Sequence, residues 1–470
     1  MVAVTAGADD VQVGINRNRL FWLSCISLIV TAMTFAIRAG ILTQLSEDFA
    51  LTDTQLGWVN GMAFLGFPLA MVLFGYLYNA LGPKLIMILA FVGHLLGLVL
   101  TITAGGFLGL LISTFFIGFA NGSVEAACNP MISEMYKDEK TKWLNRFHVW
   151  FPGGIVIGAL VSYFMTQANT GWQPQIAIMI VPTLIYGVMI FTTKFPDVSR
   201  EANKVTLSGM GWILMAAIFA LLILIGTPNA VVSSLPGGFV VPLVVAIVLT
   251  FLLTKQITGR TRDALLLVIL MGLMSLTATS ELGTQQWVER ILSSSGAQPL
   301  LILGLVTGIM AVGRYFAGPV IHALNPLGVL LFGAVVTSIG LFMLATLTGP
   351  VVYLAAVVFA VGVCYFWPTM IGVTAEYAPR SGALGMSLVG AAGMFGLTIW
   401  NPVIGGWIDN ARKTAEETGL TGDAVELAAG QGALSQLVAL PIILVISFAI
   451  MFFLRGRITA DTGEEVVVHD

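Results

Sequence analysis

Charge is scarce in this chain. Charged residues make up 10% of its 470 positions and hydrophobic residues 57%, against about 25% and 45–50% in an ordinary soluble domain. A protein of this length could not clothe a water-facing surface with so few charges, which excludes the soluble globular class and leaves a bilayer as the solvent. Cysteine is nearly absent as well. Cys25, Cys128 and Cys364 fall in apolar stretches without CxxC spacing, so they read as small buried hydrophobes rather than a disulfide framework or a zinc site. No P-loop, HExxH or Ser/His/Asp constellation occurs. The chain therefore reads as neither an enzyme nor an ATP-driven pump. Nothing calls for a cofactor or a metal, since His94 and His322 lie in other apolar runs than His148 with no ligand spacing. No basic patch points to nucleic acid.

Apolar runs of crossing length are abundant. With a window of about 20 residues, the length that spans the hydrocarbon core, the first six runs are 20–42, 55–78, 84–104, 107–136, 143–167 and 174–193. Two more follow at 208–226 and 238–255, then six at 264–290, 299–322, 327–346, 350–376, 380–408 and 433–455. The pattern predicts an all-α membrane protein of about 14 spans. It divides into an N-terminal segment 1–19, a first six-helix bundle 20–193, a connector 194–263 with two extra helices, a second six-helix bundle 264–455 and a tail 456–470. Turn chemistry marks the breaks, as at Gly82-Pro83 and Asn325-Pro326. The stretch 409–432 is polar and reads as a long outer loop, a surface segment with room for some helix. Residues 1–16 are polar, and the first apolar run, after Arg17 and Arg19, is too long for a cleavable signal.

Lysine and arginine set the sidedness. With a cytoplasmic N-terminus, 16 of them fall in inner loops and tails, three (Arg290, Arg412, Lys413) in outer loops, and two (Arg38, Arg314) within spans. This predicts a multi-pass protein of the cell inner (plasma) membrane with both termini cytoplasmic.

Ionisable residues inside spans each cost about 2.5–3.5 kcal/mol at a helix centre on insertion scales, so each needs a partner or a wet cavity. Arg38 in the first run suits a carboxylate-bearing solute, or else a structural ion pair with an inward carboxylate such as Glu125. Glu125, mid-way along the fourth run, suits proton coupling, with Asn129 one turn on and Pro130 as a kink. His148 is placed to hydrogen-bond a solute or to pack. The seventh run carries Glu281 and Gln285 on one face, with Gln286 beside them, a density of polar groups that suits a cavity wall. Trp367, Trp400 and Asn401 are further lining candidates.

Two motifs carry a resemblance to the major facilitator superfamily. Gly75-Tyr-Leu77-Tyr-Asn79-Ala80-Leu-Gly82-Pro83-Lys84 resembles its G-x-L-x-D-R-x-G-R-K loop, with Asn79 for the aspartate and Ala80 and Pro83 for arginines. Gly313-Arg314 followed by Gly318 resembles the counterpart on the eighth span. These residues are gating or structural by that resemblance. Glu125-Ala-Ala-Cys-Asn129-Pro130, the stretch from Asn145 through His148 to Gly154, and Gly362 through Trp367-Pro368-Thr369 are similar to the fucose–galactose–proton symporter branch. The resemblance implies a major facilitator fold of two six-helix bundles, here with two extra central helices. It also implies a monomeric secondary carrier using alternating access, with Glu125 in solute and proton binding. The expected function is proton-coupled uptake of a sugar or sugar-like polar solute. Arg38 stands where that branch has an acidic residue, so an organic-anion carrier is the alternative. A non-transporting solute sensor is the alternative of another class.

Overall fold

A computed structural model describes residues 15–136, 143, 146–196, 211, 240–378 and 381–459. The predicted run 208–226 lies outside the described residues apart from Gly211. The second central run is a helix, Val240–Thr258. The principal helices are α1 (Arg17–Gly40), α2 (Asp53–Gly75), α3 (Ala80–Ile102), α4 (Phe107–Met135), α5 (Arg146–Gln167) and α6 (Trp172–Thr192) in the first set. The second set is α7 (Thr261–Gln286), α8 (Pro299–Tyr315), α9 (Ala323–Thr346), α10 (Val351–Thr374), α11 (Gly382–Glu417) and α12 (Asp423–Gly456). Among the described residues, 11 helices are long and apolar enough to cross a membrane, and Pro299–Arg314 and Ile247–Gln256 are shorter apolar helices. The expected count of about 14 spans is not reached by these.

Local chemistry explains the helix ends. Asn16 caps α1 by accepting the Arg19 N–H at 3.0 Å, and Thr52 and Gln55 form a reciprocal capping box at the start of α2. The bends near the starts of α3 and α9 use one device twice. Gly82 (φ 74, ψ 156) precedes Pro83, and Asn325 (φ 55, ψ 163) precedes Pro326. A proline forces its predecessor to a high ψ, and glycine or asparagine tolerates the positive φ that completes the bend.

Packing separates lipid from core. On α3, Leu85, Leu89, Val92, Leu96 and Val99 are exposed at helical spacing. Val181, Leu184, Val188 and Phe191 repeat this on α6, as do Phe332, Val335, Ile339 and Phe342 on α9. Apolar stripes of this length are stable only against acyl chains. The protein is accordingly multi-pass. The opposite faces of these helices line buried clusters in each set.

One expectation needs correcting. The stretch 409–432 is not a loop: α11 runs on to Glu417 and α12 begins at Asp423, leaving a turn of five residues, 418–422. The polar composition that suggested a loop is explained by pairing. Arg412 of α11 grips both carboxylate oxygens of Glu426 of α12, at 2.9 and 3.1 Å. The predicted span 264–290 also stops early: α7 ends at Gln286, and Trp287 breaks it from the short helix Val288–Leu292.

Twelve alternating helices place the start of α1 and the end of α12 at one end of the molecule, here the terminal end. The opposite end is the far end.

Candidate functional site between the two helix sets

At the far end the two sets are bound closely. The seam of α2 against α11 brings backbones into contact. A Cβ on Gly57 would stand 2.5 Å from the Asn401 carbonyl, and one on Gly405 would collide with the Asp53 backbone. Asp53, whose side chain is wholly buried, receives Arg290 Nε at 2.8 Å and Arg412 Nη1 at 2.7 Å. Asp409 of α11 accepts the backbone N–H groups of Asp53 and Thr54 at 3.0 and 2.9 Å. A carboxylate from one set thus caps the helix N-terminus of the other, where the free N–H groups and the dipole favour negative charge. Beside this cluster, the backbone N–H and hydroxyl of Thr43 donate to Glu289 at 3.3 and 2.7 Å. Glu289 lies beyond the end of α7, and burial pushes its carboxyl up to about 7 despite Thr43 and Arg290.

One layer inward lies Arg38, 5% exposed. Its Nε donates to Asn60 Oδ1 at 2.9 Å and its Nη2 to Gln286 Oε1 at 2.7 Å. Its guanidinium lies over Phe35 and Phe64, 5.2 and 5.8 Å from the ring centroids. Gln286 donates in turn to the Phe35 carbonyl. Among the described residues no carboxylate pairs with Arg38, so the suggested ion pair with Glu125 is absent. The buried Asn60 Nδ2 also has no acceptor. The site therefore holds one uncompensated positive charge and surplus donors, a costly arrangement in a low-dielectric interior. Phe35, Phe64, Phe67, Ala278, Leu282, Met394 and Leu397 form an apolar plug below it, with Phe151 and Trp367 packed against it.

On the terminal side of the first set, Asn129 lies against Glu125 one turn away, and His148 of α5 joins them. Asn129 Nδ2 donates to Glu125 Oε2 at 2.7 Å, and His148 Nε2 lies 3.1 Å from Asn129 Oδ1 and 3.9 Å from Glu125 Oε2. The His148 side chain is 44% exposed. In the second set, Glu281 lies on a π-helical turn of α7, Thr279–Gly283, and accepts Arg314 Nη2 at 2.9 Å. Arg314 Nε also donates to the Cys364 carbonyl at 2.8 Å. Gln285 reaches Met310 Sδ, also on α8, at 3.5 Å, so it shares the face of Glu281 while Gln286 turns to α1.

The remaining candidates stand apart from these three groups. Asn401 is fully buried, accepting Trp287 Nε1 at 3.0 Å and donating to the Leu397 carbonyl. Trp400 packs toward Trp407. Gly75 and Lys84 are exposed at the terminal end, and the Asn79 side chain lies outside the described residues. Sequence reasoning passed over Asp53, Asn60, Glu289 and Asp409. It also passed over a buried file in which His94 bridges Tyr186 and Asn121 at 2.7 Å each, with Asn121 donating to Thr34 at 3.0 Å. The Gly57-x-x-x-Gly61 spacing was a legible signal for the seam. No metal-ligating group of three occurs among the described residues.

Comparison with known proteins agrees with this architecture. The Major Facilitator Superfamily profile matches residues 24–312. The niacin transporter NiaP of Acinetobacter baylyi is 25% identical over 190 residues, 40% of this chain and 43% of that protein. The solute carrier family 2 facilitated glucose transporter member 10 of Danio rerio is 28% identical over 194 residues, 39% of this chain and 38% of that protein. The chain thus spans less than half the length of these curated relatives. A solved D-xylose–proton symporter superposes with a TM-score of 0.65 at 15% identity, covering 91% of this chain and 97% of that one, a likeness of fold alone.

Proposed function

The chain belongs to the Major Facilitator Superfamily, and on that premise we propose that it is a secondary carrier of a small organic anion, whose carboxylate binds Arg38. One observation carries this reading: among the described residues, Arg38 is buried without a counter-charge, beside an Asn60 amide that lacks an acceptor. A carboxylate supplies both the missing charge and the missing acceptors, and guanidinium geometry suits it. The flanking Phe35 and Phe64 rings favour a flat or aromatic acid. The likeness to a niacin transporter fits, since niacin at neutral pH is an aromatic carboxylate.

The mechanism follows from what Arg38 now holds. Gln286 Oε1 occupies Nη2, where a solute oxygen would bind. Solute entry and far-end closure compete for that donor, so binding loosens α7 from α1. The lysine and arginine asymmetry supports a cytoplasmic terminal end, and the exposed His148 fits a conformer open on that side. The bundles 20–193 and 264–455 rock about the Phe35–Leu397 plug to alternate access. Glu125, with Asn129 and His148, is the proton site of the first bundle.

The test is uptake of labelled nicotinate and of D-xylose by the purified protein in liposomes with a pH gradient. Arg38→Gln is expected to lower nicotinate uptake at least tenfold and Arg38→Lys to retain part of it. Equal losses for the neutral sugar would reject the anion reading. A second reading, proton–sugar symport, draws on the hydrogen-bonding trio Glu125, Asn129 and His148 and its similarity to the fucose–galactose–proton symporter branch. It predicts xylose uptake that Glu125→Gln abolishes and that nicotinate does not inhibit.

A further inference from the structure

Glu281 is a buried carboxylate that solute recognition at Arg38 leaves without a task. Its Oε1 accepts Arg314 Nη2 at 2.9 Å, and its Oε2 is buried with no partner among the described residues. It sits on the π-helical turn Thr279–Gly283, a distortion of α-helices that clusters at functional sites. Arg314 also holds the Cys364 carbonyl at 2.8 Å. That carbonyl lies where α10 is interrupted, between the helical segments Val351–Val363 and Phe366–Tyr377. The Tyr365 hydroxyl closes the corner by donating to the Gly313 carbonyl at 3.0 Å. Arg314 therefore ties a carboxylate on α7 to the break in α10, and its side chain, 26% exposed, opens a route for water.

The other groups facing Glu281 are few. From α8 there is Arg314, and from α10 Cys364 and Tyr365. The parts of α11 packed on the turn present Leu397 and Ile404, and the stretch 439–454 of α12 holds no titratable side chain. Toward α1 the charge in line is Arg38, held through Gln286, five residues further along α7.

We propose that Glu281 and Arg314 form a proton-operated latch in the second bundle, through which the coupling proton acts on the Arg38 solute site. A proton from water adds to Glu281 Oε2, neutralises the carboxylate and breaks only the ion pair to Arg314. Arg314, still held by the Cys364 carbonyl, is then free to move with the α10 break, and α7 is released from α8 at the turn preceding Gln286. The proton leaves to water on the opposite side when the pair reforms. This proposal rests on the carrier reading above, and its test is chosen to be independent of the solute.

The test is infrared difference spectroscopy of the purified full-length protein in lipid, titrated from alkaline to acid pH. Several carboxyl groups contribute protonated-carboxyl bands on acidification, and one component is expected to be lost in Glu281→Gln while remaining in Glu125→Gln and in Glu289→Gln. A difference spectrum in Glu281→Gln identical to that of the parent overturns the proposal. Should Glu281→Gln misfold, Arg314→Lys decides: its titration midpoint is expected to move, and an unmoved midpoint overturns the latch. In liposomes, the ratio of nicotinate uptake with and without a pH gradient is expected to fall at least tenfold in Glu281→Gln, and an unchanged ratio rejects coupling through this pair. A Glu281 band in a wild-type protein that carries no anion would leave the proton site standing and remove the anion reading instead.

Discussion

The two ends of the interface between the helix sets are built differently. At the far end, buried charges, a trans-capped helix and glycine-thin backbone contacts join α2 to α11 and the α7 extension. Toward the terminal end, the Glu125–Asn129–His148 trio stays within the first set and exposes its histidine. A carrier must make and break such an interface once per cycle. The difference shows where the stabilisation of this conformer resides, and hence which end must yield for the other to close. On the proposed reading, ion pairs and close packing act at the far end, and solute and proton chemistry lies deeper in.

Removing Asp53 is expected to disturb that balance most. Asp53→Ala leaves Arg290 and Arg412 without their shared carboxylate, and breaking a buried pair costs about 3–5 kcal/mol. The far end is expected to open, read as a large rise in maleimide labelling of a cysteine placed at Leu300, which is buried against Gly40. Labelling as slow as in the parent would show that the charges do not hold the seam. A smaller effect is expected from Gly405→Ala. Its methyl group must displace the Asp53 backbone, and overpacking of this kind costs about 1–3 kcal/mol. The same reporter should open less than in Asp53→Ala, and the effect should be insensitive to salt because no charge is changed.

The apolar helices were legible because a bilayer demands long apolar runs, and Glu125 and Asn129 were legible as neighbours because they are one helical turn apart, whereas no spacing linked His148 of α5 to them. The partners of Arg38 were not legible. Asn60 and Gln286 lie 22 and 248 residues away, and no periodicity links positions in different spans. Asp53 drew no reading from the sequence, since nothing local shows that Arg290 and Arg412 converge on it. The stretch 409–432 misled for a related reason. Charges that pair across two helices have the composition of a solvated loop, and only their pairing tells them apart.

Protons sharpen the comparison at the far end. Glu289 has its carboxyl raised from 4.5 to about 7 in the closed conformer by burial, with Arg290 and Glu47 as the charges facing it. A group whose acid form is favoured on closing makes the closed end bind a proton more tightly. Closure should therefore strengthen as pH falls through about 7 and weaken as pH rises above it, with the full gain reached below 4.5. Maleimide labelling of the Leu300 cysteine should accordingly slow on acidification. Glu289→Gln should flatten that profile, whereas a profile unchanged in Glu289→Gln would assign the pH response elsewhere.

The smallest effect is expected at the terminal end. His148 is exposed, and its contact with Asn129 is a surface hydrogen bond of about 0.5–1.5 kcal/mol at most. His148→Ala should leave thermal stability and Leu300 labelling within error of the parent, because neither reports on a bond that water can replace. Its effect should appear only when solute or protons move. Asn129 keeps its bond to Glu125 when the imidazole is removed, so the carboxylate remains oriented and uptake should fall by a fewfold rather than be lost. If His148→Ala instead opened the far end as Asp53→Ala does, the two ends would be one rigid unit, and the division of roles between them would have to be abandoned.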